Sequence, residues 1–154
     1  MEAEGRIPKV SQYGSVDPAP PAQEALVAEL TARLCDENEP MFQRMRAVFA
    51  LRNLRTDEAC LALCQGFASS SALLRHEIAY VLGQMQNTAA LPTLIQRLED
   101  DQEHVMVRHE AAEAMGAIGD RSVIPSLKKY SQDSQPEVAE SCIVASVSYT
   151  HLTL

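Results

Sequence analysis

The chain has no tryptophan, and aromatic side chains of every kind make up only 5% of its 154 residues. Its core must then be built from Leu, Ile, Val, Met and Ala, which suits thin layers of packed helices. No apolar run nears the roughly 20 residues that span a bilayer. The opening Met-Glu-Ala-Glu-Gly-Arg also lacks the apolar centre of a signal peptide. No basic run or stripe offsets the net charge of −8, so nucleic acid is excluded as a natural partner. An acidic surface suits a basic protein segment instead. Together these absences predict a soluble cytoplasmic protein with no membrane contact. The four cysteines, Cys35, Cys60, Cys64 and Cys142, contain no C-x-x-C pair. They read as small buried thiols in a reducing compartment, with zinc or a disulfide framework as the alternative.

Proline is concentrated at one end. Pro8, Pro18, Pro20 and Pro21 fall within residues 1–22, together with Gly5 and Gly14. That density forbids a helix interior and predicts a leader or linker. From Gln23 helices are expected, the first marked by Leu26, Leu30 and Leu34. Longer helices then follow at Phe42–Leu54, Leu73–Met85 and Met106–Ile118, each with apolar residues at i, i+3, i+4 and i+7. Shorter partner helices lie between them, at Cys60 to Phe67, at Leu91 to Leu98 and from Ile124. Pro92 and Pro125 open two of these in the first turn, where the missing donor costs nothing. Asn87 and Gly119 are the expected left-handed ends of the long helices. The pattern predicts an all-α solenoid of stacked helix pairs over residues 23–145. Residues 146–154 form an atypical tail whose Ser, Thr and β-branched composition contradicts the helix it should complete. The tail reads as foreign to the fold, so His151 is not counted as a ligand.

The strongest signal is a tripeptide repeated 33 residues apart. Arg75-His76-Glu77 lies in Leu74-Arg-His-Glu-Ile-Ala-Tyr-Val-Leu-Gly-Gln-Met85, and Arg108-His109-Glu110 lies in Val107-Arg-His-Glu-Ala-Ala-Glu-Ala-Met-Gly-Ala-Ile-Gly119. Neighbouring side chains on a helix point about 100° apart, so one His-Glu pair cannot close a chelate around an ion. Two pairs at equivalent places on adjacent helices, with axes roughly 8–10 Å apart, can. Two histidines and a carboxylate on one side of a metal are the ligand set of non-haem iron oxygenases, which places iron ahead of zinc or manganese. The alternative is a surface ion pair copied by repeat duplication. Against that, only the two inner repeats hold the pair: Met45-Arg46 and Glu140-Ser141 occupy its place in the outer ones. Tyr80 and Glu113 stand where an H-E-x-x-H motif needs its second histidine, so a zinc peptidase is excluded. Arg75 and Arg108 read as partners of the ligand carboxylates or as structural pairs. The acidic stretch Glu99 to Glu103, followed by His104, reads as a solvated loop.

These segments, with Ser15-Val-Asp-Pro-Ala-Pro-Pro21, Phe49-Ala-Leu-Arg-Asn53 and Gly83-Gln84, resemble the deoxyhypusine hydroxylases, iron-dependent monooxygenases of HEAT-like repeats. The resemblance runs from Tyr13 to Val144. It implies an oxidoreductase of hypusine biosynthesis that hydroxylates the deoxyhypusine side chain of translation initiation factor 5A, with dioxygen as co-substrate. It also implies two Fe(2+) ions held between two similar halves, each half contributing two His-Glu motifs. This chain has two such motifs and resembles the second half. Carried over, His76, Glu77, His109 and Glu110 are the metal ligand motifs. Packing suggests that His76, His109 and Glu110 bind one iron, with Glu77 as an outer or bridging group. A homodimer or pairing with a separate N-terminal half would complete the centre. The rival reading is a non-catalytic repeat scaffold that binds a partner protein. A pigment lyase built on similar short repeats would not need the paired His-Glu.

Overall fold

The computed structural model describes residues 27–149. The leader, residues 23–26 of the expected first helix, and the end of the tail with His151 lie outside them. Eight α-helices follow in order among the described residues, with no strand: α1 (Val27–Cys35), α2 (Met41–Leu54), α3 (Asp57–Gln65), α4 (Ala72–Met85), α5 (Leu91–Glu99), α6 (Val105–Ile118), α7 (Ile124–Tyr130) and α8 (Pro136–Val147). The three long motif helices begin one residue earlier than their apolar periods suggest. Side-chain caps set several helix starts. Thr56 accepts from the Ala59 amide to open α3, and Ser71 accepts from the Leu74 amide to open α4. Arg55, Gln86 and Gly119 end α2, α4 and α6 in the left-handed region. The middle cap is thus Gln86 at φ 52°, whereas Asn87 has extended backbone and accepts from the Ala89 amide to start a short 3-10 turn.

The motif helices α2, α4, α6 and α8 pack in succession, and the odd-numbered helices back them. One continuous apolar core runs between these rows, from Leu34 and Leu51 through Ile78, Leu82 and Leu94 to Met115, Leu127 and Val138. The repeated glycines bring the motif helices together. A Cβ on Gly83 would stand 3.0 Å from the Ala114 Cα, and one on Gly116 would stand 2.9 Å from the Ala145 Cβ. Gly83→Val should therefore push α4 off α6 and destabilise the fold by about 1–3 kcal/mol, read as a lowered thermal midpoint. An unchanged midpoint would mean that the contact relaxes freely.

Arginines at equivalent places bind the repeats to their loops. Arg44 Nε donates to the Leu34 carbonyl at 2.8 Å and its guanidinium reaches Glu37. Arg108 Nε donates to the Leu98 carbonyl at 2.9 Å, and Nη2 lies 2.6 Å from Asp133 Oδ2. Arg75 holds Glu103 with Nη2 and donates from Nη1 to the Ser69 carbonyl. Arg75 and Arg108 are therefore structural pairs between loops and helices. Glu103 is correspondingly buried and also meets Arg97, so the acidic stretch is exposed at Glu99, Asp101 and Gln102 but not at its end. His104 accepts from the Met106 amide at the start of α6.

The Arg108 guanidinium holds the Asp133 carboxyl below its usual range. Burial alone would raise Glu103, but hydrogen bonds from Arg75 and the His104 amide, with the nearby Arg97 charge, more than offset it and leave its carboxyl lowered. A carboxyl depressed by folding binds its proton less tightly in the native state than in the unfolded chain. Its contribution is then full above about pH 4 and is lost as pH falls through the folded values. Denaturation series at acid pH should show that decline, and Asp133→Asn should flatten it.

The far end of the chain departs from its expected boundary. α8 continues past residue 145 to Val147. Ser146 tolerates the helix because its hydroxyl donates to the Cys142 carbonyl at 2.7 Å. Tyr149 is buried and donates its hydroxyl to the Met115 carbonyl at 2.8 Å. All four cysteines are free thiols, Cys60 and Cys142 buried, Cys64 half-buried and Cys35 exposed.

Candidate metal centre

His76 projects from the second turn of α4, and His109 and Glu110 from the second turn of α6. The close approach of α4 to α6 sets the imidazoles facing each other, ring centroids 6.0 Å apart. His76 Nε2 lies 3.1 Å from Glu110 Oε2, and His109 Nε2 lies 3.9 Å from the same oxygen. One nitrogen from each histidine and one oxygen of Glu110 all fall within 4.8 Å of one another. Glu77 is half-buried and stands outside this group. The structure thus brings together three of the four candidate residues.

Burial pushes the Glu110 carboxyl above its usual range, and the charges of Glu113 and Glu77 add to the effect. The two imidazoles oppose the shift without cancelling it. A buried carboxylate with acidic neighbours calls for a cation. The histidine beside it gives a second indication: His109 Nε2 is buried without a hydrogen-bond partner. A buried ring nitrogen is rarely left so, and a metal ion at the centre of the group would use its lone pair. The donor set of two imidazoles and one carboxylate fits a divalent iron ion with open positions opposite. Beside it opens a cleft of about 350 Å³ between α4 and α6, lined by Tyr80, Gly83, Gln84, Glu110 and Glu113.

Two further residues touch the site that its sequence motif does not contain. Glu113 Oε1 lies 3.3 Å from His109 Nδ1, and Ser141 Oγ lies 3.2 Å from the same nitrogen. The i, i+4 spacing of His109 and Glu113 was a usable signal for the first. Nothing local pointed to Ser141, which arrives from α8.

The HEAT repeats family model matches residues 61–146. The chain belongs to the HEAT-repeat family. A second model of that kind, the PBS lyase HEAT-like repeat, matches residues 43–69. Among curated relatives of this HEAT-repeat chain, the Homo sapiens deoxyhypusine hydroxylase is 48% identical over 153 residues, covering 99% of this chain and 51% of that protein. The Gallus gallus deoxyhypusine hydroxylase is 53% identical over 107 residues, covering 70% of this chain and 36% of the relative. The structure of human deoxyhypusine hydroxylase in complex with glycerol superposes with a TM-score of 0.82 at 49% identity, covering 94% of this chain and 50% of that one. The chain spans about half the length of the Homo sapiens relative, and the similarity is to its C-terminal half.

Proposed function

We propose that the chain supplies one iron half-site of a cytoplasmic deoxyhypusine hydroxylase. The observation that carries this reading is the convergence of His76, His109 and Glu110 around an unpartnered, buried His109 Nε2. In this reading His76, His109 and Glu110 hold one ion, and Glu77 stands behind them as an outer group. Iron bound there would supply the activation of dioxygen, chemistry that protein side chains lack. The substrate is the deoxyhypusine side chain of translation initiation factor 5A, and the product is hypusine. The cleft beside Glu110 admits a long side chain, and the net charge of −8 favours a basic protein segment. No helix among the described residues is long and apolar enough to cross a membrane. A scaffold without chemistry would have no use for two half-buried histidines converging on a buried carboxylate.

One half-site offers ligands for one ion, while the proposed reaction uses two ions facing each other. The second set comes from an N-terminal half or from another copy related by a two-fold axis. Hydroxylation and molecular mass are to be measured for the chain alone and after mixing with a separately made N-terminal half. Little turnover alone, with a gain on mixing, is the expected result. Full activity from a strictly monomeric chain would refute the half-site reading.

A further inference from the structure

We propose that Glu113 and Ser141 are positioning residues that hold His109 as its Nδ1–H tautomer, leaving Nε2 bare as a ligand. The inference rests on the metal reading above and adds a reason for one histidine's readiness to bind. A serine hydroxyl has a single proton. Ser141 donates it to Glu113 Oε1 at 3.2 Å, so its oxygen faces His109 Nδ1 as an acceptor at 3.2 Å. The Glu113 carboxylate, also an acceptor, lies 3.3 Å from that same nitrogen. Two acceptors on Nδ1 require a proton there. A neutral imidazole carries one ring proton, so Nε2 is left with its lone pair.

The far side of the ring agrees. Nε2 is buried and has no hydrogen-bond partner; a proton on it would be an orphaned donor, whereas a lone pair is what an incoming cation uses. Ser141 is itself buried, at 7% exposure, which shields its hydroxyl from solvent. It stands in α8 at the place where α4 and α6 carry their His-Glu pairs. The last repeat therefore orients the ligand of the repeat before it. Outer hydrogen bonds of this kind orient metal-bound histidines in general, and losing one costs roughly 10–100-fold in metal affinity.

The test uses the full chain, free of metal, at a pH well above the ordinary imidazole value of about 6.5. Proton–nitrogen correlation spectra of the imidazoles report the His109 tautomer directly. Ferrous iron is then titrated anaerobically against a chromophoric chelator. In the wild type His109 should carry its proton on Nδ1. Ser141→Ala and Glu113→Ala should each raise the Nε2–H fraction and weaken ferrous iron binding about 10-fold, while the melting temperature is kept. Ser141→Thr should restore both. Glu113 is half-exposed, so its variant keeps the test alive if Ser141→Ala fails to fold. A wild-type His109 protonated on Nε2, or unchanged tautomers in both variants, would overturn the proposal. A wild type that takes up no ferrous iron would sink the metal reading instead, and Nδ1–H in that same sample would still uphold the tautomer assignment.

Discussion

Iron retention should vanish in His109→Ala and fall almost as far in His76→Ala and Glu110→Ala, whereas Glu77→Ala should keep most of it. Each of the first three variants removes one of the three donor atoms that, among the described residues, meet within 4.8 Å. The loss should exceed the roughly 10–100-fold that removal of an outer hydrogen-bond partner costs. Glu77 adds negative charge near Glu110 but does not join the group, so its loss falls at the mild end of that range. Glu110→Ala also removes the carboxylate that both imidazoles face. Metal analysis of the four purified variants beside the wild type decides the matter. Equal iron in all of them would leave only a scaffold. Iron lost with Glu77 but kept without Glu110 would reverse the two roles.

The largest effect on stability is expected from Arg108→Ala, at about 3–5 kcal/mol. The Arg108 and Asp133 side chains are 6% and 10% exposed. Removing the guanidinium takes the charge partner from the Asp133 carboxylate, which keeps the Gln135 amide, and the side-chain donor from the Leu98 carbonyl. A buried charge left alone costs far more than an exposed pair contributes. The thermal midpoint should fall by roughly 10 °C for a domain of this size. Arg108→Ala combined with Asp133→Ala should cost less than the two single losses together, because the double variant leaves no stranded charge. A loss under about 1 kcal/mol in the single variant would place this pair with ordinary surface ion pairs.

Much of this protein follows from short-range rules. The motif helices lie within one residue of their apolar periods because a helical face repeats every 3.6 residues and its ends are set by neighbours such as Ser71 and Gly119. The same local logic misplaced one left-handed cap: Asn87 is the better residue for that conformation, yet the chain turns at Gln86. It also stopped the last helix at residue 145, since composition does not reveal that Ser146 satisfies its hydroxyl within its own turn. Arg44 carries the same role as Arg108 and escaped notice, because its His-Glu neighbours are absent.

The amino-acid order by itself determined the stacked helix pairs and the equivalent placement of His76-Glu77 and His109-Glu110. Both are properties of one helix or of a repeat, and a period carries them. Only the tertiary structure decided that Glu110 meets both imidazoles while Glu77 stands aside, that Glu103 is buried between Arg75 and Arg97, and that Ser141 and Glu113 meet at His109 Nδ1. The long-range members of this set join residues 28 to 34 positions apart. They depend on how closely α4, α6 and α8 approach, which Gly83 and Gly116 set by lacking a Cβ. A helix's own pattern states which face turns inward, but the distance and register to the next helix arise from packing between them.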